Sequence, residues 1–158
     1  MTVLKQNKLT KGFTLIELLV VIGILAILLA ITLIAINPAR QFGQANDTKR
    51  RSDANALLNA VGQYEASNTG NLPPEVLALT ASAAATEVDH AHFPNLCGQL
   101  VPNYIPALPV DPTLNIQAGI SDCTSTTWDT GYQIARDVNN RITVSAPNAY
   151  AGPITVTR

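Results

Sequence analysis

Lys11-Gly12-Phe13-Thr14-Leu15-Ile16-Glu17-Leu18-Leu19-Val20-Val21-Ile22 opens an apolar run that continues to Ile36. Lys5, Lys8 and Lys11 precede it without an acid among them, and Glu17 is its one charged residue from Phe13 onward. Eighteen or more apolar residues with few charges read as a membrane-spanning helix. At roughly 1.5 Å per residue, segment 13–36 reaches about 36 Å, against a hydrocarbon core of about 30 Å. Helix is the form it must take there, because lipid offers the backbone no hydrogen-bond partner.

Two features set this segment apart from an ordinary secretory signal. Such a signal is cut after its apolar stretch, at small residues. Asn37-Pro38-Ala39-Arg40 fits that pattern poorly, and the small residue Gly12 stands before the stretch instead. Glu17 lies inside the run, where a carboxylate is costly unless paired, so it is a functional candidate by default.

The segment from Lys11 to Ile22 resembles the processing site of type IV prepilins and type II secretion pseudopilins. The resemblance extends over about 24 residues, and it combines a basic leader, a Gly-Phe junction, a Glu at the fifth position after it, and a long apolar run. It implies that prepilin peptidase removes leader 1–12 by cutting between Gly12 and Phe13, with N-methylation at Phe13. It implies that helix 13–36 is kept as a filament core and that 37–158 is a globular pilin domain. The partners implied are copies of the chain in a helical homopolymer, the peptidase, and the inner-membrane assembly platform of a pilus or type II secretion machine. Filaments of this kind serve adhesion, motility, DNA uptake or secretion, and the resemblance does not choose among them. The plain alternative for the segment is an uncleaved signal anchor.

Cleavage would free the Phe13 α-amino group, which is cationic and stays so if methylated once. Glu17 needs a positive partner in lipid or in a filament core. The amine of its own chain is one candidate, and the amine of an adjacent subunit is the better one for assembly. Such pairing fixes axial register, because misregistered docking leaves a buried charge unpaired.

The basic side of a membrane segment stays in the cytoplasm. The expected topology is a single pass through the inner membrane with the C-terminus outside, followed by an extracellular or periplasmic filament. Cys97 and Cys123 then lie where disulfides persist. A Cys97–Cys123 bridge, closing a loop of about 27 residues and stabilising by about 3 kcal/mol, is favoured over two unpaired thiols.

The chain has 158 residues, and those beyond Ile36 suffice for one modest domain. Three of its ten Lys and Arg residues are in the leader, so seven face eleven acids afterwards and the processed chain is near −4. That balance, with few aromatics, argues against nucleic-acid binding. Phosphate loops, HExxH and GxSxG are absent from the sequence, so neither an enzyme nor a cofactor is expected. Asp89-His90-Ala91-His92 has no third ligand nearby. Asp111, Asp122, Asp129 and Asp137 form no calcium-loop pattern. No metal is expected.

The rest of the chain predicts an α+β unit. A single long helix should run from Phe13 to about Asn68, a membrane-spanning half followed by an amphipathic half over about 39–68. A kink or local break is expected at Asn37-Pro38, since proline removes a donor and restricts its predecessor. In many pilins the helix-breaking proline falls on the position held here by Ile34, four residues earlier. Ala54, Leu57, Leu58, Val61 and Tyr64 form an apolar stripe, with Asp53, Asn55, Asn59 and Gln63 on the opposite face. The charged run from Asp47 to Asp53 reads as a solvated helix surface, its functional alternative being contact with neighbouring subunits or anionic headgroups. Residues 75–90 are alanine-rich and read as one or two short helices.

Residues 100–112 form a proline-rich loop that resembles the helix-to-sheet crossing of major pseudopilins. Alternation over 131–136, 141–145 and 154–157 predicts three antiparallel strands within about 128–158. Their apolar face, from Tyr132 and Ile134 to Ile154 and Val156, should cover the helical stripe. The functional expectation is a structural subunit of a type IV pilus or pseudopilus. The alternative is a membrane-anchored extracellular binding module exported with a prepilin-like leader.

Overall fold

A computed structural model describes residues 12–114 and 118–158. Leader positions Lys5, Lys8 and Lys11 lie outside the described residues. Among those described, the order is α1 (Leu15–Ile36), α2 (Pro38–Ser67), α3 (Pro74–Leu77), β1 (Thr86–Asp89), α4 (Leu96–Leu100), β2 (Asp129–Arg136), β3 (Ile142–Ala146) and β4 (Ile154–Thr157). The chain divides into two compact units after Gln41.

The first unit is built on α1, which buries none of its residues. The expected single helix from Phe13 to Asn68 is two helices, and the break falls where Asn37-Pro38 predicts it. Asn37 takes the left-handed conformation (φ 48°), which asparagine tolerates better than most residues. Pro38 then opens α2, where its missing N–H and fixed φ cost nothing. The Asn37 side chain serves the second helix as well, accepting from the Arg40 N–H at 3.3 Å.

The second unit, Phe42–Arg158, carries the α+β core. A four-stranded antiparallel sheet of order β1-β2-β3-β4 provides one layer and α2 the other. Alternation explains the faces: Tyr132, Ile134, Ile142, Val144 and Ile154 are buried, and Val156 at the sheet edge is half-buried. Opposite them lie Ala54, Leu57, Leu58 and Val61 of α2, with Tyr64 half-buried at the end of the stripe. Cys97 and Cys123 are joined in a disulfide that ties α4 to the segment before β2, with Cα atoms 5.4 Å apart.

Three expectations need correction. The alanine-rich stretch 75–90 is helical only over Pro74–Leu77, and its end is strand β1, paired antiparallel with β2. Thr86 and Val88, β-branched and alternating with Glu87, favour the strand once β2 offers an edge. The charged run from Asp47 to Asp53 is not a uniformly solvated surface. Arg50 is 2% exposed and grips the fully buried Asp111 through two bonds, Nε to Oδ2 at 2.8 Å and Nη2 to Oδ1 at 3.0 Å. Its Nη1 holds Asp47 at 3.0 Å, and Asp47 in turn accepts the N–H groups of Tyr150 and Ala151. Asp53 does not share the solvent face of Asn55, Asn59 and Gln63, because it accepts the Tyr132 hydroxyl at 2.9 Å.

The network also dictates a glycine. Gly131 has φ +70°, and a Cβ there would stand 2.9 Å from the Asp111 Cβ. Burial alone pushes the Asp111 carboxyl up, but the hydrogen bonds from Arg50 and Thr113 outweigh it and hold the group below its ordinary range. Asp47 is treated alike by burial and by the N–H groups of Tyr150 and Ala151, with Arg50 adding to the lowering.

Arg50→Ala leaves the Asp111 carboxylate buried without its counter-charge. It should destabilise the unit by about 3–5 kcal/mol, read from urea unfolding in detergent through Trp128 fluorescence. Acid should act on the same network. Both carboxylates are lowered in the folded state, so their stabilisation is complete above the unfolded range near about pH 4 and is lost as pH falls through the folded values. Melting temperature in the parent chain should therefore fall between about pH 5 and pH 2, and that fall should shrink in Arg50→Ala.

Candidate functional site

The N-terminal turn of α1 holds the residues that sequence reading marks out. Gly12 and Phe13 precede the helix, and the Phe13 side chain is 85% exposed. Thr14 is extended (φ −80°, ψ 153°) and forms the N-cap. Its hydroxyl accepts the Glu17 N–H at 3.3 Å. Glu17 reaches back, and its Oε2 accepts the Thr14 N–H at 2.8 Å and the Thr14 hydroxyl at 2.7 Å. This reciprocal capping box satisfies donors that the first helical turn otherwise leaves free. A carboxylate at this position also complements the positive end of the helix dipole.

Phe13 and Glu17 are thus brought to the same turn, with Thr14 between them. Thr14 is the member that sequence reading did not single out. The signal was present, since Thr followed three positions later by Glu before an apolar run is the capping-box pattern. The capping geometry lets a carboxylate sit at the head of an apolar helix with two hydrogen bonds of its own. Both bonds fall on Oε2.

Behind this turn, α1 carries no charged residue from Leu18 to Ile36. It is the one helix among the described residues long and apolar enough to cross a membrane. Large side chains from Leu15 to Ile36 are more than half exposed nearly throughout, so the helix presents apolar surface on all sides.

The other chemical groups are used within the fold. Lys49 binds Asp53 at 2.5 Å and the Val110 carbonyl at 3.2 Å. Burial and the adjacent Asp53 push the Tyr132 phenol well above its ordinary range, so it serves as a donor and not as an acid. Asp89 caps the turn after β1, accepting the His92 N–H at 2.8 Å. His92 Nδ1 lies 2.7 Å from the same oxygen. Among the described residues, no three His, Cys, Asp or Glu side chains converge on a point that suits a metal ion.

A family model described as the prokaryotic N-terminal methylation motif matches residues 7–33. The match covers Lys8 and Lys11 before the junction, Gly12 and Phe13, the capping turn and most of α1. It supports a type IV pilin-like prepilin, and the α+β architecture is pilin-like. No curated protein and no solved structure matches the chain.

Thr14→Ala removes the hydroxyl from both sides of the box and should cost the first turn about 1 kcal/mol. In detergent micelles the amides of Ile16 to Leu18 should then exchange with deuterium about fivefold faster, with those beyond Val21 unchanged.

Proposed function

We propose that this chain is a structural subunit of a type IV pilus or pseudopilus filament. The observation that carries the reading is α1 itself, an apolar helix that buries nothing within its own chain and is headed by a methylation motif and a capped carboxylate. Prepilin peptidase cuts between Gly12 and Phe13, and the new Phe13 amine is methylated. Before assembly, α1 crosses the inner membrane once with the C-terminal unit outside. An assembly platform of a pilus or type II secretion machine then draws the subunit into a helical polymer of identical chains. The chain acts by assembly and carries out no catalysis.

The chemistry follows from the turn at Thr14. While the subunit is in lipid, the Thr14 N–H and hydroxyl lower the cost of carrying a carboxylate, because they replace water at Oε2. Oε1 is the atom left to take the ammonium of a docked subunit's Phe13. That pair, out of water and flanked by apolar helices, rewards one axial register and penalises the others. Contacts of one surface with a different surface of the next copy give a filament where the rotation between copies does not close into a ring. The side chains of α1 exchange lipid for one another with little change in polarity, so packing and the charge pair decide the geometry.

Two measurements test the reading together. Mass spectrometry of the protein from its native cell should show a chain beginning at Phe13 and heavier by one methyl group. Glu17→Ala should abolish filaments seen by electron microscopy, with cleavage and membrane insertion retained. An uncut chain, or undiminished filaments in the variant, would overturn it.

A further inference from the structure

The second unit enters at Phe42, and the end it enters by is aromatic and exposed. Phe42 is 71% exposed and Tyr150 60%, against a core in which Tyr132 and Phe93 are almost fully covered. The Tyr150 ring lies directly over the backbone of Gly43, where an added Cβ would stand 2.6 Å from its Cγ. Its position is fastened from within. Asp47 accepts the Tyr150 and Ala151 N–H groups at 2.8 and 3.0 Å, and the buried Arg50 holds Asp47. The same loop borders an open recess of about 430 Å³ lined by Asp47, Arg51, Gly152 and Pro153. Two exposed aromatics, one of them held by a fixed loop, are the composition of a membrane-interface anchor.

We infer that Phe42 and Tyr150, at the entry end of α2, form a seat for the lipid headgroup layer, both rings entering the interface. The inference rests on the reading of α1 as a membrane span. Its occupant follows from chain continuity: five residues, 37–41, link Ile36 to Phe42, a reach of no more than about 20 Å over six steps. The interfacial zone outside the hydrocarbon lies within that reach. The opposite end of α2 lacks this argument. There the β2–β3 turn residues Asn139 and Asn140 share a recess with Gly62 and Glu65. Gly62 is about 28 Å along α2 from Gly43. The seat would hold the unassembled subunit in one orientation on the bilayer, with α2 and the sheet presented the same way in every copy.

Brominated-lipid quenching of the full chain tests this in phosphatidylethanolamine–phosphatidylglycerol vesicles, with each reporter read against the parent chain and its buried Trp128. Tyr150→Trp should lose about half its added fluorescence to lipids brominated near the headgroup. Val138→Trp, in the β2–β3 turn, should lose almost none. Leu25→Trp should be quenched by lipids brominated deep in the chain, which confirms that α1 is inserted. An unquenched Tyr150→Trp beside a quenched Leu25→Trp overturns the seat and leaves the membrane reading standing. An unquenched Leu25→Trp overturns that reading, and the seat with it. Quenching of Tyr150→Trp that disappears as protein is added at fixed lipid assigns the surface to a second copy and also overturns the seat.

Discussion

Helix α1 has an apolar surface that its own chain does not cover, and the rest of the protein's behaviour depends on what covers it. Burying one Leu or Ile side chain is worth about 1.5–3 kcal/mol. Summed over the large apolar side chains of α1, exposure to water would cost tens of kcal/mol, several times the net stability of an ordinary domain. On the proposed reading the helix is covered from outside, by lipid or by other copies. Because both are apolar, exchange between them involves little hydrophobic free energy, and small directional terms govern the outcome. Glu17 is the one charged residue in the segment, and in the proposed filament it supplies such a term.

The second unit meets a different constraint. Its apolar core is assembled in the usual way, from an amphipathic α2 and an alternating sheet. What it adds is a polar clamp. Lys49, Arg50 and Asp53 lie on adjacent turns of α2 and reach respectively the Val110 carbonyl, Asp111 and Tyr132. One helix thereby fixes the loop after Pro109 and a central strand. Arg50 and Asp47 extend the clamp to the loop before β4. A buried ion pair of this kind contributes little over a well-packed apolar substitute, yet it is severe on any arrangement that separates the partners. Its effect is to exclude alternative seatings of α2.

Elements with strong periodicity were legible in the sequence. The apolar run, the stripe from Ala54 to Val61, and the alternating strands of the C-terminal region each state their own environment. The turn at Gly12 to Glu17 was legible as a family pattern, although the role of Thr14 emerged only from its bonds to Glu17. What escaped reading depended on partners distant in the chain. Strand β1 is four residues after an alanine-rich stretch, and it is defined by the edge that β2 presents. Arg50 is in phase with the stripe, four positions before Ala54 and seven before Leu57, but its partner Asp111 is 61 positions away and its charge suggested a solvated face. Asp53, four positions before Leu57 and seven before Ala60, sits by helical phase on the flank of the buried stripe, where the Tyr132 hydroxyl meets it.

The position of the helix break follows from the same constraint as the exposed surface. A helix end leaves carbonyls without intrahelical partners, and those groups need water or protein. With a proline at the Ile34 position, the orphan carbonyls would fall on residues about a turn deeper in the apolar run. Here the run is uninterrupted from Leu15 to Ile36, about 33 Å of helix, and the break is at Asn37. Such a length suffices to span the hydrocarbon, and on the proposed membrane reading the freed carbonyls reach the interface, where headgroups and water satisfy them. Asn37 closes one helix through its backbone and caps the next through its side chain. Displacing the break to Asn37 thus keeps α1 continuous over a length compatible with lipid, and it leaves the non-helical residue at the end of the apolar run.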